Sequence, residues 1–215
     1  MKRSELLETL ITNILSLEHE RPLLVAIDGL DGAGKTTLAN ELTEKLRTLG
    51  LSIIDASTDG FHNPRVIRYK RGADSPEGYY MDSFNHSALK VLLLDPLKTG
   101  NLRYKARAFD YTVDQGIISQ PQLAEPASIL ILDGVFTHRP ELRDYWDYSI
   151  YLQITEEECL RRGIARNPGD EEEARRRYAV RYIAGQRLYQ AESDPMKHAS
   201  IIIDNNDPDN PIIQP

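Results

Sequence analysis

The residues that could do chemistry most directly lie in one glycine-rich run, Gly29-Leu30-Asp31-Gly32-Ala33-Gly34-Lys35-Thr36. The run fits the pattern G-x-x-x-x-G-K-[S/T], in which glycines let the backbone curl until its N–H groups point at phosphate oxygens. A helix that begins at Lys35 adds the positive end of its dipole, the lysine reaches the β- and γ-phosphates, and the Thr36 hydroxyl is placed to bind Mg²⁺. The sequence therefore predicts an ATP site formed by Gly29, Asp31, Gly32, Ala33, Gly34, Lys35, Thr36 and Thr37.

A second carboxylate stands at the end of another apolar run. Residues 129–132 are Ile-Leu-Ile-Leu, and Asp133 follows them, as in a Walker B strand. A strand-end aspartate is by itself more often a turn residue. Beside the phosphate-binding run, a role in holding Mg²⁺, directly or through water, is favoured. We therefore expect Thr36 and Asp133 to be the metal ligands.

A third acidic residue, Asp59, follows the strand predicted at residues 51–57. Ligands of an open parallel sheet bind beyond the carboxyl ends of its strands, so Asp59 should face the same crevice as Lys35. A carboxylate in that position can accept the proton of an attacking hydroxyl during phosphoryl transfer. The alternative is that Asp59 only caps a helix or forms a turn. The residues alone favour the catalytic and the structural interpretation equally.

Two arginines offer positive charge for the same reaction. Arg162 and Arg166 are four residues apart in a charged helical stretch and therefore share one helix face. Together they can stabilise a transferring phosphoryl group when a lid closes and excludes water. The alternative is a solvated helix, since glutamates at 156–158 and 171–173 flank the arginines. Next to a phosphate-binding run, the lid interpretation is favoured.

These side chains need a scaffold that brings them together. Five segments predict strands, at residues 23–28, 51–57, 128–132, 149–154 and 199–203, and the continuous apolar run at 23–28 is typical of a strand buried on both faces. They alternate with helical patterns such as residues 35–49 and 84–94, the second expected to end before Pro96. The alternation of strands and helices predicts a mainly parallel five-stranded sheet covered on both sides, in three α/β/α layers. Together with the phosphate-binding run and the arginine stretch, it leads us to expect an α/β fold of the P-loop NTPase type with a small helical lid.

Length and composition set the organisation and the excluded classes. The 215 residues predict one domain. Within it we expect a flanking helix at 1–20, an acceptor-binding insertion at 58–127 and a lid region at 156–190. A formal net charge of −7 argues against broad nucleic-acid or anionic-membrane binding. The single cysteine, Cys159, fits a reducing compartment. We expect a soluble cytoplasmic protein without nucleic-acid or membrane partners, and the sequence leaves open whether copies form a homo-oligomer.

The sequence also resembles a known group of kinases. Residues 59–64, Asp-Gly-Phe-His-Asn-Pro, are similar to the base-bearing segment of the uridine kinase, phosphoribulokinase and pantothenate kinase group of P-loop kinases. Residues 75–85 resemble the segment of uridine kinase-like proteins that helps to hold the acceptor's sugar. Residues 132–136 match the second carboxylate strand, with aspartate where uridine kinases usually have glutamate. Residues 161–167 resemble the mobile lid, and the similarity extends from about residue 23 to residue 204.

This resemblance implies a reaction and roles for individual residues. It implies that Mg²⁺ and ATP serve as cofactor and donor, with a small-molecule hydroxyl acceptor, first of all the 5′-hydroxyl of uridine or cytidine. Asp59 would be the base, Lys35 and a lid arginine the charge stabilisers, and Asp82 a hydroxyl-binding group. The expected acceptor contacts are Asp59, Phe61, His62, Tyr80, Asp82, Phe84 and Arg107.

Other functions stay open at this point. The acceptor can be pantothenate, a sugar phosphate or another alcohol, because residues 109–114 lack the histidine of the element that holds the nucleobase in uridine kinases. Basic residues at 103, 105 and 107 alternate, so a strand would present them to an anionic acceptor on one face, and Arg65, Arg68 and Arg71 raise the same option. A nucleotide-dependent regulatory protein is a further alternative. No N-K-x-D element is present, which disfavours GTP.

Overall fold

A sheet of six strands forms the middle layer of the structure, a computed structural model that describes residues 1–215. The strands in chain order are β1 (Leu23–Gly29), β2 (Ile53–Ser57), β3 (Arg103–Tyr104), β4 (Phe109–Asp110), β5 (Gln115–Gly116), β6 (Gln122–Leu123), β7 (Ile129–Asp133), β8 (Tyr148–Gln153), β9 (Ile201–Asp204) and β10 (Ile212–Ile213). Six of these ten strands form the central sheet, in the order β10-β9-β8-β1-β7-β2, and the other four form two small sheets, β3 with β6 and β4 with β5. The five predicted strands all run parallel, which confirms the expected sheet. The two-residue strand β10 adds an antiparallel edge that was not predicted.

Helices cover both faces of this sheet. They are α1 (Arg3–Leu15), α2 (Lys35–Thr48), α3 (Arg65–Arg68), α4 (Pro76–Asp82), α5 (His86–Leu89), α6 (Asp95–Thr99), α7 (Glu156–Ala165), α8 (Glu171–Arg177), α9 (Ala184–Ser193) and α10 (Pro195–His198). Turns of π-helix at Lys90–Leu94 and Tyr178–Ile183 join α5 to α6 and α8 to α9. No helix is both long and apolar enough to span a lipid bilayer.

The continuous apolar strands are explained by two cores, one on each face of the sheet. Alternate side chains of a strand point to opposite faces. Val25 and Ile27 therefore join a cluster of 23 buried residues under α1 and α2, whereas Leu24 joins a second cluster of 13 residues beneath α5 and α6. These two cores make the three layers, and the predicted α/β/α architecture is confirmed.

The helix expected to end before Pro96 continues to Thr99, so that predicted boundary was wrong. Proline has no N–H to donate to the carbonyl four residues earlier. In the structure that carbonyl, on Leu92, accepts a hydrogen bond from the backbone N–H of Lys105 at 2.8 Å. The Leu92 carbonyl thus has a hydrogen-bond donor from outside the helix, and a π-helical turn comes before Pro96. For these reasons the helix continues past the proline.

Candidate active site

The glycine-rich run 29–36, here called the phosphate loop, connects β1 to α2 and has backbone angles that other residues rarely adopt. Gly32 and Gly34 have φ angles of 76° and 92°, in the left-handed region. A Cβ atom on Gly34 would also lie 2.9 Å from the side-chain nitrogen of Asn205. Helix α2 begins at Lys35, directly after this turn. The loop therefore directs backbone N–H groups and a helix N-terminus toward one region, as polyphosphate binding requires.

The Lys35 side chain is buried across this loop. Its ammonium donates hydrogen bonds to the carbonyls of Gly29 and Leu30, at 3.0 and 2.8 Å. These neutral partners leave the positive charge of Lys35 uncompensated by a direct ion pair. The residue types and their positions fit the triphosphate of ATP.

The hydroxyl and carboxylate predicted as metal ligands are in direct contact. The Thr36 hydroxyl donates to Asp133 Oδ2 at 2.6 Å. The sheet register pairs Asp133 with Ile27 of β1 and with Ser57 of β2, which places it at the carboxyl edge between these strands. Burial raises the pKa of Asp133, although the Thr36 hydrogen bond and the Lys35 charge oppose this effect. A buried carboxylate beside a hydroxyl is an oxygen donor set that suits Mg²⁺.

Asp59 lies in the 3₁₀ turn that directly follows β2. Its side chain is 58% exposed, and Nε2 of His62 lies 3.4 Å from Asp59 Oδ1. The other ring nitrogen, Nδ1 of His62, is 3.0 Å from the carbonyl of Ser83. A carbonyl can only accept, so Nδ1 carries a proton and Nε2 faces the carboxylate. Asp59 is thus held at the cleft edge with an oxygen available to an incoming hydroxyl.

A buried polar network fixes the end of β1 from which the phosphate loop departs. Asp28 accepts hydrogen bonds from the backbone N–H of Gly29, from Nδ1 of His138 and from the hydroxyl of Tyr189. Burial alone would raise the pKa of Asp28, but the hydrogen bonds and charge of its partners outweigh it and lower the pKa. The network joins β1, the loop after β7 and α9. Sequence patterns gave no sign of it, because the three residues are far apart in the chain.

One cleft of about 410 Å³ collects most of the predicted site. The predicted residues that line it are Asp31, Gly32, Gly34, Lys35, Thr36, Thr37, Asp59, His62, Phe84, Asp133 and Arg166. Gly29 and Ala33 are buried in the phosphate loop behind this surface. The carboxyl ends of β1, β2 and β7 therefore meet at one cavity, as the parallel sheet predicts.

Aromatic rings flank Asp59 on the acceptor side of the cleft. The His62 ring stacks on Phe84, with centroids 4.4 Å apart and planes at 25°. Tyr111, from the turn after β4, lies 5.0 Å from the same His62 ring. His62 and Phe84, two of the expected acceptor contacts, both line the cleft. Tyr111 was not predicted as a contact residue.

Three predicted acceptor contacts do not line the cleft. Phe61 and Tyr80 are buried in the core, where the Tyr80 ring packs against the guanidinium of Arg139 at 4.3 Å. Arg107 is exposed on the surface. The strand expected to align it with Arg103 does not form, because β3 ends at Tyr104.

Asp82 is the fourth predicted contact outside the cleft lining, since its carboxylate is bound elsewhere. Asp82 Oδ1 is 2.9 Å from Lys70 Nζ, and Oδ2 accepts from Arg71 Nε at 2.7 Å. Burial alone would raise the pKa of Asp82, but these two hydrogen bonds outweigh it and hold the pKa below its usual value. In this structure Asp82 holds the segment before α4 in place.

The two arginines expected to act from a lid have different surroundings. Arg166, just after α7, lines the cleft, and its side chain makes no hydrogen bond or ion pair. Arg162 instead donates to the carbonyls of Gly32, Asn205 and Asn206 at 2.9–3.0 Å, and also binds Glu158. The structure brings only Arg166 to the cleft. Arg162 links the phosphate loop to the loop after β9.

Three residues of the predicted lid region that were not among the expected site residues also line the cleft. Tyr178, Arg181 and Tyr182 lie on the π-helical turn between α8 and α9. Their spacing of three and four residues is the signal that could have found them, since it places them on one helix face. Tyr79, one position before the predicted Tyr80, donates a hydrogen bond to Asp31 at 2.7 Å.

A parallel sheet whose central strand ends in a phosphate-binding loop, with a carboxylate on each neighbouring strand end to one side, is the arrangement of P-loop kinases. A solved structure described as a "Possible Uridine Kinase" from Bacillus stearothermophilus superposes with a TM-score of 0.74 and 26% identity. The superposition covers 91% of this chain and 96% of that chain. The chain is a P-loop kinase in fold.

The family can be stated as well. The model of the phosphoribulokinase / uridine kinase family matches residues 24–181, and the chain belongs to this family. It is 25% identical over 191 residues to a uridine kinase of Leuconostoc citreum, which covers 85% of this chain and 87% of that protein. A pantothenate kinase of Streptococcus agalactiae is 28% identical over 142 residues, covering 62% of this chain and 45% of that protein. Membership supports a phosphotransferase and, at this level, nucleotide and Mg²⁺ use.

Proposed function

We propose that this chain transfers the γ-phosphoryl group of ATP to the hydroxyl group of a small molecule, with Asp59 as the general base. The observation that carries the proposal is the meeting of Lys35, Asp133 and Asp59 at one cleft. Phosphoryl transfer needs a phosphate cradle, a metal site and a hydroxyl-orienting base within one water-excluding site.

In this proposal the groups that line the cleft have separate roles. The N–H groups of the phosphate loop and the ammonium of Lys35 bind the phosphates. Arg166 neutralises charge on the transferred group when the lid closes. Thr36 and Asp133 hold Mg²⁺, which neutralises charge on the phosphate oxygens when bound. The exposed carboxylate of Asp59 orients the acceptor hydroxyl and takes its proton.

Two classes of acceptor enter the proposal. The first is a nucleoside, uridine or cytidine, at its 5′-hydroxyl. The names of the uridine kinase relatives support it, and so do the rings of His62, Phe84 and Tyr111, which offer faces for a planar base. The second is another alcohol, such as pantothenate or a sugar phosphate, which the pantothenate kinase relatives support. We also place the reaction in the cytoplasm, where ATP is supplied and the buried thiol of Cys159 stays reduced.

The test measures ADP release from Mg·ATP against a panel of nucleosides, pantothenate, sugar phosphates and simple alcohols. With the accepted compound, Asp59→Asn is expected to lower kcat by about 10²–10⁴-fold, because only the proton acceptor changes. ATP affinity should change by less than about threefold. Asp55→Asn is the matched control, since Asp55 is an exposed aspartate on β2 itself.

Two results would count against the proposal. Undiminished turnover in Asp59→Asn would remove Asp59 from the mechanism. Tight Mg·ATP binding without ADP release for any acceptor would favour a nucleotide-dependent regulatory protein instead.

A further inference from the structure

Two buried guanidinium groups line the cleft outside the phosphate loop. Arg68, at the end of α3, is 7% exposed, and Arg181, in the π-helical turn of the lid, is 3% exposed. Their groups flank one ring, since the guanidinium carbons lie 5.6 and 4.9 Å from the centroid of Tyr69. Arginine is rarely buried to this extent without a charged partner.

The hydrogen-bond partners of this pair provide only one negative charge. Arg181 Nη1 donates to the carbonyls of Ala73 and Ser75 at 2.9 and 3.1 Å, and makes no ion pair. Arg68 Nη2 donates to Asp114 Oδ1 at 3.1 Å. The Nε atom of Arg68 is buried and has no hydrogen-bond partner. The pair therefore retains one uncompensated positive charge and one unused donor.

Neighbouring cations differ because water reaches them. Lys70 and Arg71 share the single carboxylate of Asp82, but their side chains are 51% and 49% exposed, and the Arg177 side chain, paired with Glu173, is 44% exposed. Outside the phosphate loop, the buried charge deficit is therefore on Arg68 and Arg181. A buried charge is costly unless it is paired, so an anion that enters the cleft would gain a strong interaction there.

Arg68 belongs to the acceptor side of the cleft rather than to the nucleotide side. It lies six residues after His62 in the segment that follows Asp59. Its partner Asp114 is in the turn that carries Tyr111, whose ring contacts His62. The phosphates of ATP have their own cradle in the phosphate loop. The anion that completes this pair is therefore carried by the acceptor.

We infer, on the basis of the proposed kinase function, that the acceptor is an alcohol with a carboxylate or phosphate group that binds to Arg68 and Arg181. The planar fork of arginine binds either group through two parallel hydrogen bonds. With its anionic group bound there, the acceptor presents its hydroxyl to Asp59, which lines the same cleft. Of the two acceptor classes in the proposed function, this favours the charged alcohols over a neutral nucleoside.

The experiment compares acceptors that differ only in charge. Glycerol is paired with glycerate, and ribose with ribose 5-phosphate, so that one arm tests a carboxylate and the other a phosphate. Pantothenate and uridine complete the set. We expect kcat/KM, measured by ADP release, to be at least about 100-fold higher for one charged member than for its neutral partner or for uridine.

Variants then test the residues. Arg68→Gln should raise KM for the charged acceptor by about 100-fold while leaving KM for ATP unchanged, and Arg68→Lys should recover part of the loss. Arg175→Gln is the control, because Arg175 is an exposed lid arginine that makes no ion pair. If Arg68→Gln does not fold, the wild-type protein saturated with Mg²⁺ and a non-hydrolysable ATP analogue is titrated with inorganic phosphate. Saturable binding at millimolar concentration or below is expected.

The outcomes separate this inference from the proposed function. Equal kcat/KM for charged and neutral partners, an unaltered KM in Arg68→Gln, or no phosphate binding to the nucleotide-saturated protein would overturn the anionic subsite while the kinase proposal stands. Absence of ADP release with every acceptor overturns the kinase proposal, and the inference with it.

Discussion

A carboxylate within a phosphate-binding loop is electrostatically unfavourable, and Asp31 is in that position. It lines the cleft with Lys35 and Thr36. Its carboxylate accepts hydrogen bonds from the Tyr79 hydroxyl at 2.7 Å and from the Gln186 side chain at 3.3 Å. Burial and the charge of Asp31 raise the pKa of Tyr79 well above its ordinary value, so the hydroxyl stays a donor. We interpret Tyr79 as the group that keeps the Asp31 charge away from bound phosphate.

The size of the effect follows from simple electrostatics. Two unit charges about 8 Å apart interact by about 2 kcal/mol at an effective dielectric constant of about 20. Asp31→Asn keeps the shape and removes this repulsion, so Mg·ATP should bind about 10–30-fold more tightly, with a smaller gain for Mg·ADP. Tyr79→Phe removes a hydrogen bond to a charged group, worth about 1.5–3 kcal/mol, and frees the carboxylate to turn toward the phosphates. We expect Mg·ATP binding to weaken by about tenfold.

Titration calorimetry with Mg·ATP and Mg·ADP measures both effects without an acceptor. The double variant gives the decisive comparison, because Tyr79→Phe should have little effect on affinity once residue 31 is uncharged. Asp55→Asn controls for the loss of one negative charge elsewhere. Affinity changes of the same sign in the two single variants would refute the reasoning, since Asp31 would then support phosphate binding or shape the loop.

Two further predictions concern the metal site and acid stability. Thr36→Ala should weaken Mg²⁺-dependent ATP binding by about tenfold or more, and a metal dependence equal to that of the wild type would exclude Thr36 as a ligand. Hydrogen bonds from His86 and Arg139 lower the pKa of Glu141 to about 2. Because this pKa is lowered on folding, the anionic form stabilises the fold above the unfolded pKa of about 4.5, and the benefit is lost as pH falls toward 2. Glu141→Gln should therefore lower the urea midpoint at pH 7, by an amount that shrinks at pH 3; an equal loss at both values would contradict this assignment.

The parts of the site that could be predicted from the sequence are those fixed by local geometry. The phosphate loop needs left-handed glycines directly before a helix, so consecutive residues determine it. Asp59 and Asp133 follow apolar strands, and parallel pairing alone places both strand ends at one edge. These inferences require no knowledge of how the side chains pack.

The acceptor side could not be predicted, because it depends on tertiary packing. Neighbouring helical residues point about 100° apart, so which of Tyr79 and Tyr80 faces the cleft is decided by how α4 packs. Arg162 and Arg166 were expected to act together from their spacing. Arg162 instead finds carbonyl partners in the loop after β9, and no local pattern indicates such a contact.

The loop after β9 has a consequence for biosynthesis. The side chain of Asn205 donates a hydrogen bond to the carbonyl of Ala33 at 2.7 Å, across 172 positions of the chain. The phosphate loop is therefore held by a residue that follows β9. Along the chain, β1 is the first of the parallel strands and β9 is the last. A ribosome must therefore have released residues 29 to 205 before this contact can form, so the phosphate loop gains its full set of hydrogen bonds only after all the parallel strands have left the ribosome.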